Sequence, residues 1–182
     1  MIPGQTFFLP LCQTYSIEPS QARADRVEET YREILTRVSA LIEGEDDWIA
    51  AMATVASELH HAFDYFHWTG FYRAVGDDML IIGPYQGGHG CLRIPFDRGV
   101  CGAAAREKTT QVVPDVDRFP GHIACSSTTR SEICVPVISP DGEVMAVLDV
   151  DSDLPAAFSE VDQRYLERLC EGLGRRFSAG WR

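Results

Sequence analysis

Three cysteines lie in glycine-rich or irregular sequence: Cys91 in GGHGCLRI, Cys101 in DRGVCGAA and Cys125 in GHIACSS. Such segments offer the access a reactive thiol requires, and the chemistry they suggest is nucleophilic attack or disulfide exchange by a thiolate. A single loop cysteine is more often inert, but three together weaken that reading. Cys101 opens an expected helix just after Gly99, where unpaired backbone N–H groups favour the thiolate and predict a depressed pKa. Cys125 has His122 and Arg130 nearby in sequence, which act in the same direction. Cys134, inside the apolar run ICVPV, and Cys170, beside the apolar stripe of the last helix, read as small hydrophobes. Cys12, in the irregular front end, is undecided.

Carboxylates form the second group. In AVLDVDS, strand alternation puts Asp149 and Asp151 on one face and Leu148 and Val150 on the other. Two like charges so placed raise one pKa toward the range of a proton donor, unless they sit at a solvated strand end. Glu132 alternates away from Ile133, Val135 and Val137, so it adds a third carboxylate if neighbouring strands align. In HWTGFYR, Trp68 and Tyr72 share a face with Gly70 between them, which suggests a recess walled by aromatics; ordinary core packing is the competing reading. The loop GPYQGGHG lacks the GK[ST] of a phosphate loop. His89 with Cys91 and His122 with Cys125 would make a two-nitrogen, two-sulfur zinc set, but neither pair has CxxC or HxxxH spacing, and no metal is assigned.

The elements that must position these residues are legible from periodicity. Val27, Tyr31, Ile34, Leu35, Val38, Leu41 and Ile42 recur at helical spacing from Ser20 to near Gly44. Asp46 or Asp47 caps a second helix carrying Trp48, Met52, Val55, Leu59 and Phe63. Six segments then read as strands: HWTGFYRAV, MLIIGPY, CLRIPF, QVVPDV, EICVPVIS and EVMAVLDVDS. A short helix over about 100–106 divides them. Ser159 and Asp162 have capping-box spacing before a last helix with Val161, Tyr165, Leu169, Leu173 and Phe177 on one face. Helices thus bracket a mainly antiparallel sheet, an α+β layout. Residues 1–19 read as an irregular arm and 20–182 as a single domain, since no repeat or linker divides them.

Composition narrows the partners. With 16 basic against 27 acidic residues and a net charge of −11, neither nucleic acid nor an anionic membrane is expected to bind. No apolar run approaches the roughly 20 residues of a membrane span, and no basic segment precedes the short apolar run at the start. A soluble cytoplasmic protein is expected. Six cysteines are too few for a disulfide scaffold in a chain of 182 residues, so some are expected as free thiols.

The motifs WTGFY, GPYQG, RGVCG, GHIAC, SEI and VLDVDS, in this order, resemble those of the free methionine-(R)-sulfoxide reductases, a branch of the GAF domains. The resemblance is strong over about Trp68 to Ser152 and loose in the flanking helices. It implies a GAF-like α+β fold and reduction of the R epimer of free methionine sulfoxide, recycled by thioredoxin, without metal or organic cofactor. It leaves a homodimer open.

By the same resemblance, Cys125 attacks the sulfoxide sulfur while Glu132, Asp149 and Asp151 bind the sulfoxide oxygen and the ammonium group. Protonation or strong hydrogen bonding of that oxygen is what makes the sulfur electrophilic. The resulting sulfenic acid condenses with Cys91 to a disulfide. Cys101 is an alternative attacker or relay, and Trp68 and Tyr72 hold the S-methyl group. The front end to about Gly44 and Cys134 have no role in this resemblance. A non-catalytic GAF small-ligand sensor and a thiol redox switch are the alternatives from other classes.

Overall fold

Helix α1, Ser20–Leu41, follows the apolar stripe read from the sequence at helical spacing and buries Tyr31, Ile34 and Val38 along it. The structure, a computed structural model, describes residues 20–76 and 78–181. The arm expected over residues 1–19, with Cys12, lies outside them. Helix α2, Trp48–Ala62, is capped by Asp47, whose carboxylate accepts from the N–H groups of Ile49 at 2.7 Å and Ala50 at 3.0 Å. These bonds satisfy two of the four donors that a helix start leaves unpaired.

Six strands follow, interrupted by one helix: β1 Trp68–Val75, β2 Met79–Gln86, β3 Arg93–Pro95, α3 Gly99–Glu107, β4 Gln111–Val113, β5 Ser131–Ile138 and β6 Val144–Ser152. They form one sheet in the order β3-β2-β1-β6-β5-β4 with every pairing antiparallel. Two strands, β3 and β4, are half the length of their sequence segments. Pro114, with no N–H to donate, follows the end of β4. β3 begins only at Arg93, so Cys91 lies in the loop before it.

Alternation along the central strands sorts the sheet into two faces. Phe71, Ile133, Val135, Leu148 and Val150 face α1, α2 and the last helix, α4, Glu160–Phe177. Tyr72, Cys134 and Val147 face the opposite side, where α3 lies across the sheet. Gly102 allows α3 to sit that low: a Cβ there would be 2.5 Å from the Pro95 carbonyl oxygen.

The last helix is anchored by more than a cap. Asp162 accepts from both the backbone N–H and the hydroxyl of Ser159, each at 2.7 Å. Its other carboxylate oxygen accepts from the Tyr31 hydroxyl at 2.9 Å and the Tyr65 hydroxyl at 2.6 Å. This buried carboxylate therefore joins α1, the loop before β1 and α4, and its four donors offset the cost of taking it out of water. No helix among the described residues is long and apolar enough to cross a membrane.

Candidate active site

Strand register builds the floor of the site. β6 lies between β5 and β1, pairing Asp151 with Glu132 and Asp149 with Cys134 on one side, and Asp151 with Trp68 and Asp149 with Gly70 on the other. All three carboxylates thus reach the face that α3 covers. Glu132 and Asp149 are buried and Asp151 partly so, which overturns the solvated strand end. Burial pushes Asp149 up to about 6, held back by hydrogen bonds from Cys134, Cys101 and Glu132. Burial, then the neighbouring Asp149 charge, drive Glu132 and Asp151 well above the usual carboxyl range.

The thiols do not divide as the sequence suggests. Cys91 and Cys125 are half-buried and joined by a disulfide, with their Cα atoms 5.2 Å apart. Cys101, the third residue of α3, is only 2% exposed, so the expectation of an accessible thiol with a depressed pKa fails there. Burial pushes its thiol up, and carboxylates rather than cations surround it, so the partial charge of the helix start is outweighed. Cys134, expected to be a plain hydrophobe, instead donates to Glu132 Oε1 at 3.0 Å and Asp149 Oδ1 at 3.3 Å. Its Sγ lies 3.3 Å from that of Cys101. The signal was present in the sequence, since the alternation that turns Glu132 toward this face turns Cys134 with it. Cys170 is buried as expected, its thiol directed to the Val135 carbonyl.

His122 and Arg130 part company. His122 Nε2 lies 3.8 Å from Glu132 Oε2, and partial burial lowers the ring's pKa, which leaves it mainly neutral at pH 7. Arg130 is exposed. The His89, Cys91, His122 and Cys125 set offers no thiolates in this form, because both sulfurs are in the disulfide.

Cys101, Cys125, Glu132, Asp149 and Asp151, with His122, surround a recess of about 20 Å³, room for about one water. Trp68 and Tyr72 stand beside it. Their rings stack 5.8 Å apart, and Tyr85, which the sequence did not single out, stacks on the other side of Trp68 at 5.3 Å. The indole fills the space above Gly70, where a Cβ would be 2.6 Å from it, so the expected opening over that glycine is closed by Trp68 itself. Gly90, next to the disulfide, is held close to both rings: a Cβ there would be 3.0 Å from the Tyr72 hydroxyl and the Trp68 indole. Tyr72 also faces the acidic cluster, and its hydroxyl is pushed up by burial and then by Asp149.

The sequence and the fold that carry this site are matched by known proteins. The GAF domain family model matches residues 24–177. The free methionine-R-sulfoxide reductase of Saccharomyces cerevisiae is 41% identical over 150 residues, covering 79% of this chain and 83% of that protein. The chain belongs to the free methionine-R-sulfoxide reductases, an oxidoreductase family of GAF domains. The Escherichia coli reductase is 37% identical over 141 residues, 78% of this chain and 84% of that protein. Among solved structures, the Neisseria meningitidis reductase in complex with its substrate aligns with a TM-score of 0.79 at 47% identity, covering 84% of this chain and 90% of that one. The fold class read from the sequence is therefore correct, and the reductase family read from its motifs is the right one.

Proposed function

We propose that this protein reduces the R epimer of free methionine sulfoxide to methionine, with Cys125 as the nucleophile and Cys91 as the resolving thiol. The observation that carries this reading is the Cys91–Cys125 disulfide at the rim of a recess whose floor is Glu132, Asp149 and Asp151. Burial holds Glu132 well above the usual carboxyl range, which suits it to donate its proton to the sulfoxide oxygen, while Asp149, titrating at about 6, is ionised at pH 7 and holds the substrate ammonium.

The Cys125 thiolate attacks the sulfur activated by that proton; oxygen passes to Cys125 as a sulfenic acid and methionine leaves with the electron pair. The Cys91 thiol then displaces the oxygen as water, forming the disulfide, and an external dithiol such as thioredoxin returns both sulfurs to thiols. Cys101 is not the attacker in this reading, because burial disfavours its thiolate. No metal or organic cofactor enters these steps.

A recess of about 20 Å³, roughly one water in size, does not admit methionine sulfoxide. Reduction frees the loops carrying Cys91 and Cys125, and withdrawal of Gly90 exposes Trp68 and Tyr72 to the S-methyl group. The charged ends of a free amino acid match Asp149 and backbone N–H groups, which a peptide methionine lacks. A thioredoxin-coupled assay with free R and S sulfoxides and a sulfoxide-containing peptide tests this. Turnover of the free R epimer alone, lost in Cys125→Ser, is expected, and no turnover of that epimer would refute the reading.

A further inference from the structure

The thiols of Cys101 and Cys134 are left unused by the proposed reaction, yet with Glu132 and Asp149 they form a convergent set of two sulfur and two oxygen donors. All four residues are buried, and their donor atoms lie within 4.8 Å of one another. Cys134 Sγ is 3.3 Å from Cys101 Sγ, 3.0 Å from Glu132 Oε1 and 3.3 Å from Asp149 Oδ1; Cys101 Sγ is 3.9 Å from Glu132 Oε1. In tetrahedral zinc sites, bonds of about 2.0 Å to oxygen and about 2.3 Å to sulfur separate neighbouring ligand atoms by roughly 3.3–3.8 Å. The cluster already has that scale.

The backbone fixes the set. Cys134 and Asp149 are cross-strand partners, Glu132 is two residues from Cys134 on the same face, and Cys101 descends from α3 above them. The basic group that reaches these donors among the described residues is His122, whose Nε2 lies 3.8 Å from the other oxygen of Glu132. Two buried carboxylates thus face two thiols with little positive charge to balance them, the environment in which a divalent cation displaces protons from its ligands.

We propose that Cys101, Glu132, Cys134 and Asp149 form a binding site for a thiophilic divalent cation of the zinc class, and that the ion is an inhibitor rather than a cofactor. Two of its ligands, Glu132 and Asp149, are the groups assigned to the sulfoxide oxygen and the ammonium, so ion and substrate exclude each other. That inhibitory consequence rests on the proposed function; the binding does not. The site is separate from the His89, Cys91, His122 and Cys125 set, whose sulfurs it does not use.

Cobalt(II) is the probe, since its thiolate complexes have near-ultraviolet charge-transfer bands and tetrahedral sites have visible bands. In Cys91→Ser/Cys125→Ser protein kept reduced, one cobalt should bind with both sets of bands and be displaced by zinc. Adding Cys134→Val or Cys101→Ala should remove about half the charge-transfer intensity and weaken binding at least ~10-fold. Absence of these bands in the double variant, or unchanged bands after either further substitution, would overturn the site; if one of those variants fails to fold, the other decides.

In the native enzyme, zinc should raise the KM for free sulfoxide, and a chelator should restore it. An unchanged KM at saturating zinc would overturn the inhibition while leaving the reductase reading intact. Absence of turnover without zinc would refute that reading and leave the cobalt result to stand alone.

Discussion

Replacing Asp149 by asparagine should make the protein more stable and less active at neutral pH. Burial raises this carboxyl from 3.8 to about 6, so as pH climbs the unfolded chain loses its proton first. Stability is thus unaffected below about pH 4, falls between about 4 and 6, and stays lower above that window by about 3 kcal/mol. Asparagine carries no charge at any pH in this range, and its carbonyl can still accept the Cys134 thiol bond.

Urea unfolding of the disulfide-intact protein and variant from pH 4 to pH 8 should show equal midpoints at the acid end. At the alkaline end the variant should gain roughly 1–2 M in its midpoint, for a slope near 2 kcal/mol/M. Over the same range, kcat/KM of the native enzyme should rise through about pH 6 as Asp149 ionises, and the variant should lack that limb. Its activity at pH 7 should fall about 10- to 100-fold, the cost of a charged hydrogen bond of roughly 1.5–3 kcal/mol. A variant less stable than the native protein at pH 7, or a difference in stability that does not change with pH, would refute both the burial and the assigned role.

Two further substitutions separate chemistry from support. Glu132→Gln keeps a hydrogen-bond donor but no transferable proton, so turnover of free sulfoxide should drop ~100-fold or more while substrate affinity changes little; a stopped-flow measurement of methionine release checks this. Asp162→Ala leaves the Tyr31 and Tyr65 hydroxyls without their shared acceptor and should lower unfolding stability by roughly 3–5 kcal/mol, measured by urea denaturation.

The sequence was most informative where the governing rule is local. Period-two alternation placed Asp149 with Asp151 and turned Glu132 to the correct side, and period-3.6 stripes with a cap at Asp47 located the helices. What could not be read was which strands meet. Cys134 opposite Asp149, and Glu132 opposite Asp151, depend on the β5–β6 register, and that register turns three separate carboxylates into one buried cluster. The helix start at Cys101 was legible, but its pKa was misjudged because burial against carboxylates is a tertiary effect larger than that of a helix start. Asp162 read as a cap and is also the acceptor for Tyr31 and Tyr65, 131 and 97 residues away. Tyr85 showed no local pattern that would pair it with Trp68; β1–β2 pairing supplies it.

The most direct test of the account is a disulfide map of fully reduced protein after one equivalent of free R-methionine sulfoxide, with released methionine counted in the same sample. One methionine per chain and a single new disulfide between Cys91 and Cys125 are predicted, with Cys101 and Cys134 still alkylated as free thiols. Methionine formed with a disulfide that includes Cys101, or the Cys91–Cys125 bond formed without methionine, would contradict it.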